Sequence, residues 1–199
     1  MKKFALLFAG AALLGACSTN QPAAEAPPMV AADPNNPLMA PGYLAMAGSS
    51  DQFEIQSGQL ALQASQNPAV RNFGNMLVAD HTRSTQILMT AAQSAGITPP
   101  PPALMPPHQA LLDQLRAAGS GPSFDMAFQQ AQLQAHQMAL ELHQNYSANG
   151  DAPALRAAAG QIVPVIQMHL QQVQAMSVAP PPPPPAMSAP PVGRSGERG

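Results

Sequence analysis

The chain has no tryptophan, two tyrosines and one cysteine, and only 9% of its residues are Asp, Glu, Lys or Arg. A single thiol cannot close an intrachain disulfide or build a thiolate cluster, so stability must come from packing. Aromatic and β-branched residues are few while alanine and glutamine abound, which disfavours strands and favours helices. The 46% hydrophobic content overstates the core, because much of it is alanine and methionine. No apolar run reaches the roughly 20 residues that a permanent membrane-spanning helix needs. Basic residues are scarce too. The only lysines are Lys2 and Lys3; the rest of the chain holds six arginines against ten acids, a formal charge of −4. With no basic patch, nucleic acid is not an expected partner.

The N-terminus is organised. Lys2 and Lys3 precede the apolar run Phe4 to Leu14, and Leu14-Gly15-Ala16 supplies small residues before Cys17. A charged stretch, a short apolar stretch and a small-residue cut read as a secretory signal over 1–16. A cysteine at the cut resembles the bacterial lipoprotein signal. That resemblance implies that Cys17 is the lipid-bearing first residue of the mature protein, a membrane partner through several acyl chains. With Ser18 next, it also implies the periplasmic face of the outer membrane. An incidental cysteine in a signal cut elsewhere is the alternative. An acylated Cys17 leaves no thiol for redox chemistry.

Twenty-four prolines punctuate the chain, clustering at 22–41, 99–107 and 180–191. Residues 17–41 read as a disordered tether, and 178–199, with Pro180 to Pro185, as a polyproline tail. The tail reads as a spacer, with a proline-recognising envelope protein as the alternative. Between them, residues 42–177 suffice for one domain.

Four long helices are expected there: 42–66, 68–95, 124–146 and 153–176. Asn67-Pro68 supplies an N-cap and a proline at the first helical position, Gly96 a C-cap, and Ser123 a cap for the third. Apolar stripes recur at spacings of three and four, such as Val70, Phe73, Leu77, His81, Ser84 and Leu88. The long connection 96–123 leaves room for a short helix around 108–118. About 27 residues can return along the length of a bundle, which permits crossover topology.

His81, His136 and His169 fall on the apolar stripes of three helices, and Glu54 lies on the first helix among small residues. Counted from the helix midpoints, Glu54, His81 and His136 share one layer, while His169 lies about 6 Å along the axis. Such groups suit zinc, manganese, iron or copper. They can equally satisfy one another as a metal-free hydrogen-bond network. Both readings stay open. Asp80 could orient His81 or pair with Arg83. His143 reads as a partly exposed rim residue, His108 as solvated, Glu141 as a surface charge, and the scattered methionines as core filler. Pro164 predicts a kink eased by Gly160.

Several segments together carry a resemblance: Phe53-Glu54-Ile55, Asn67-Pro68-Ala69-Val70-Arg71-Asn72-Phe73, Met76-Leu77-Val78-Ala79-Asp80-His81-Thr82, Phe124-Asp125, His136, and Val163-Pro164 through His169-Leu170. In order and spacing the chain resembles, over about 42–177, a ferritin-like family of predicted periplasmic and outer-membrane proteins known only as a domain of unknown function. The resemblance implies an all-α, ferritin-like four-helix bundle with a long connection between helices 2 and 3. It supplies no activity. Di-iron sites of this fold use Glu-x-x-His on two helices, whereas Val78 and Ile166 stand three before His81 and His169. The main expectation is a non-enzymatic, lipid-anchored bundle with a structural, stress or interaction role. The alternative is a metal-binding protein or metal-dependent oxidoreductase using Glu54, His81, His136 and His169.

Overall fold

The computed structural model describes Asp33 and residues 35–178. The signal, Cys17, most of the tether and the polyproline run lie outside these residues. The described part contains five helices: α1 Ala40–Ala64, α2 Pro68–Ser94, α3 Pro106–Ala117, α4 Pro122–Asn149 and α5 Pro153–Ala175.

Each helix begins with a proline in its first two positions. There the missing N–H costs nothing and the fixed φ favours the first turn. Asn67 caps α2 as expected, its side chain accepting from Ala69 N–H at 2.9 Å. At the other end Gly96 has φ +69°. Its N–H bonds the Gln93 carbonyl and Ile97 N–H bonds Ala92, the paired closure of a Schellman motif. The expected Ser123 cap is displaced: α4 starts at Pro122, with Gly121 at the N-cap and φ 71°. Glycine tolerates that conformation without steric cost. One helix runs through Pro164. The carbonyl of Gly160 loses its donor there, but Gly160 is exposed, so water can replace it.

The helix directions follow from the contacts. On α1 and α2, Asp51 meets His81 while Gly58 meets Gly74, so the two run antiparallel. Tyr43 meets His143 and Ser57 meets Gln132, which makes α1 and α4 antiparallel. His136 meets His169 and Gln129 meets Val173, the same relation for α4 and α5. Consequently α2 and α5 are antiparallel where they pack, and α2 and α4 are parallel. Phe73–Phe128 and His81–His136 keep one constant offset, as parallel helices require. A tight turn cannot join parallel neighbours; the connection from Ala95 to Gly121 can, and α3 within it lies against α1 and α4.

Two apolar clusters fill the interior. One gathers Tyr43, Leu44, Leu88, Tyr146, Leu155 and Ile162; the other gathers Phe53, Phe73, Leu77, Leu112, Phe124, Phe128 and Val173. Between them runs a buried polar layer: Asp51, Glu54, His81, Gln132, His136 and His169. Small residues bring α1 and α2 close beside it. A Cβ on Gly58 would lie 2.6 Å from the Gly74 carbonyl oxygen, and one on Gly74 would lie 2.8 Å from that of Gly58.

Candidate metal centre

Each of the three imidazoles has one nitrogen tied to an acceptor. His81 Nδ1 meets Asp51 Oδ1 at 2.8 Å, and Asp51 Oδ2 accepts from Thr85 Oγ1 at 2.9 Å. His136 Nδ1 lies 2.9 Å from the Gln132 carbonyl oxygen. His169 Nε2 lies 3.0 Å from Asp80 Oδ2. A carbonyl oxygen only accepts, so the proton of neutral His136 sits on Nδ1 and its Nε2 carries a lone pair. By the same logic Nδ1–H of His81 donates to Asp51 and Nε2–H of His169 donates to Asp80.

The remaining nitrogens face one another. His136 Nε2 and His169 Nδ1 are 3.1 Å apart. With both outer nitrogens protonated, no proton is left for that contact, and two lone pairs oppose. His81 Nε2 is buried with no hydrogen-bond partner among the described residues. One ring nitrogen from each of His81, His136 and His169 lies within 4.8 Å of the others. The ring centroids are 5.2 to 5.8 Å apart. An unpaired buried polar atom such as His81 Nε2 costs about 1–3 kcal/mol. An imidazole whose far N–H donates to a carboxylate or carbonyl is the usual form of a metal-ligating histidine. The donor set therefore fits a transition metal.

Glu54 takes a different place. Its Oε1 lies 3.5 Å from His136 Nδ1, the nitrogen turned away from the common point. Both of its oxygens are buried without a hydrogen-bond partner among the described residues. Burial pushes its carboxyl up to about 7, against the pull of the His81 charge and the Gln132 side chain, with Asp51 adding to the rise. The four candidates thus divide into three convergent imidazoles and one carboxylate beside them.

The surroundings set the imidazoles apart. Burial brings His136 down to about 3, helped by the charges of His81 and His169 and opposed by the Gln132 hydrogen bond. Burial also lowers His169, against the hydrogen bond that it donates to Asp80. For His81 burial acts downward as well, but the Asp51 hydrogen bond and the charges of Glu54, Asp51 and Asp80 raise it overall. His136 and His169 therefore keep free lone pairs at neutral pH.

Four sequence expectations need correction. Asp80 orients His169, not His81, because α5 packs against the face of α2 that carries it. Asp51 has the role expected of Asp80; it lies three residues before Glu54, one helical turn along the same face, and that spacing was the available signal. His143 is 2% exposed rather than a rim residue, with Nδ1 at 2.8 Å from Tyr43 Oη, and burial brings it down to about 4. His108 is buried at the α3 start, because α3 folds back onto α1. The depth offset of His169 disappears, since its ring meets His136 directly. Glu141 is exposed, as read.

A cavity of about 280 Å³ between α2 and α5 reaches this centre. Asp80, His81, Arg83 and Gln161 line it, and the Asp80 side chain is 34% exposed. His81 is thus reached from one flank by an opening that also carries the apolar Ile87, Ile162, Val165 and Ile166.

Fold and site together define an all-helical protein with a buried, three-imidazole centre. The family described as Domain of unknown function (DUF4142) matches residues 23–176, and the chain belongs to it. Among solved structures it is similar to CopM in the Cu(II)-bound form, at 21% identity and TM-score 0.58, covering 69% of this chain and 94% of that one. CopM in the Ag-bound form gives 22% and 0.56, covering 69% and 93%. The Cu(I)-bound form gives 22% and 0.55, covering 67% and 91%. At these identities the likeness shows the fold. No functionally curated protein matches the chain.

Proposed function

We propose that this protein binds a transition metal of the copper class through the inward nitrogens of His81, His136 and His169. The observation that carries the reading is the 3.1 Å contact between His136 and His169, whose outer nitrogens are both already committed as donors. With both rings neutral, a metal-free network has no proton for that join; a cation that accepts both lone pairs would satisfy it. Neutral imidazoles suit copper and zinc better than manganese, which favours oxygen donors. That CopM structures of the same fold are described as copper- and silver-bound lends copper further support. Val78 and Ile166 stand where a di-iron centre would want glutamates, so iron oxidation is not part of the reading. Copper would here be held and buffered, with Glu54 as a charge-balancing neighbour.

The packing pattern of the four long helices supports a ferritin-like bundle, with the crossover between α2 and α4. The N-terminal pattern supports an envelope location, anchored at the periplasmic face of the outer membrane by a lipid on Cys17. Cys17→Ala should move the protein from the membrane to the soluble fraction with its helical CD unchanged; a variant that stays with the membrane refutes the anchor.

The metal reading is tested on untagged protein carrying Cys17→Ala, so that no thiol competes. Copper and zinc are added in turn and bound metal is measured after desalting. One equivalent should remain bound at the triad, and His81→Ala should lose it while keeping its helical CD. A folded protein that loads with neither metal overturns the reading.

A further inference from the structure

The turn that opens α3 builds a second cluster that shares no residue with the triad. Met105 and Pro106-Pro107 bring His108 down onto α1, facing α4. A cavity of about 210 Å³ lies there, lined by Met46 and Ser50 of α1, Met105 and His108 of the α3 start, and Met138 of α4. The twelve methionines are spread along the sequence, yet the fold gathers three of them around one space. All three are half-buried, so their thioethers can turn inward and still be reached from solvent.

His108 is held from two sides. Its ring stacks on Phe53, with centroids 5.7 Å apart and planes 19° from parallel. Its Nδ1 lies 2.7 Å from Ser49 Oγ, which also accepts Met105 N–H at 2.8 Å. Ring tilt and position are therefore set from α1. The other nitrogen, Nε2, is buried with no partner among the described residues, and so is Ser50 Oγ at the same cavity. In the tautomer whose Nδ1–H donates to Ser49, Nε2 presents a lone pair. Burial lowers His108, which keeps the ring neutral.

We propose that Met46, Met105, Met138 and His108 Nε2 form a second metal site, for a soft monovalent cation such as Cu(I) or Ag(I). Thioether sulfur selects Cu(I) over hard or divalent ions, and an oriented imidazole completes the set. The carboxylates that surround the triad are absent from this lining, which turns the two sites toward different cations. The proposal stands independently of the triad.

The test uses the full chain carrying Cys17→Ala, labelled with ¹³C-methyl methionine and titrated with Ag(I), which is redox-inert. One added equivalent should shift three methyl resonances. Met46→Leu, Met105→Leu and Met138→Leu should each remove one of them; Leu is close to Met in volume, so the fold should persist, with CD as the check. His108→Gln should weaken the response, and His81→Ala should leave it in place. Shifts confined to the exposed Met89, Met126 and Met168 would overturn the proposal. So would shifts that vanish in His81→Ala, which would assign the silver to the triad.

Discussion

Asp51→Asn tests whether the carboxylate behind His81 tunes a metal ligand or only fills space. Asp51 is 3% exposed and holds His81 Nδ1 at 2.8 Å. Asparagine keeps the shape and one accepting oxygen but removes the charge. Its amide also meets Thr85 Oγ1 where Asp51 Oδ2 now accepts at 2.9 Å. Loss of such an outer partner weakens metal binding about 10–100-fold, or about 1.4–2.7 kcal/mol. Asp51→Ala should fall at the large end or below it, because nothing then orients the ring. Thr85→Val should cost less than either, since it acts on His81 only through Asp51. The assay is competition for copper against a chelator of known affinity, with CD and thermal melts to show each variant folded. If folded Asp51→Asn binds copper as tightly as the parent, the part given to Asp51 behind His81 is wrong. If Thr85→Val costs more than Asp51→Ala, the assigned order of the contacts is wrong.

Three further predictions concern stability. Gly58→Ala should destabilise by about 1–3 kcal/mol through overpacking, despite the about 1 kcal/mol helix preference of alanine, because the new methyl meets the Gly74 backbone at 2.6 Å; an unchanged urea midpoint would refute the close approach. His143 stands at about 4, lowered by burial and by the His81 charge and opposed by that of Asp51. Its folded value is depressed, so the unfolded chain takes up the proton first as pH falls below about 6.5. The stability of the metal-free protein should therefore drop by about 3 kcal/mol between pH 6.5 and pH 4 on this account, and His143→Gln should flatten that part of the profile in denaturant titrations. Copper at 100 times its Kd should raise stability by about 2.7 kcal/mol, read as a higher Tm that His81→Ala does not show.

Much of the fold is legible along the chain because its signals are local. Asn67-Pro68, Gly96 and Pro153 mark helix ends through backbone chemistry that needs no distant partner. Apolar spacing marks the buried faces, and the same spacing places His81, His136 and His169 among buried residues. Depth counting fails for His169 because it treats the helices as level, whereas side-chain contact between α4 and α5 decides the register.

The sequence by itself determined that this is a helical protein with one cysteine, few charges, and three histidines on inward faces. Only the tertiary structure decided how those histidines meet. Tautomers depend on which acceptor lies behind each ring, and Asp51, the Gln132 carbonyl and Asp80 are supplied by three different helices. The gathering of Met46, Met105 and Met138 around His108 likewise depends on how the long connection folds back onto α1 and α4. Periodicity says which face a residue occupies; convergence of lone pairs from separate helices is a property of the packed chain.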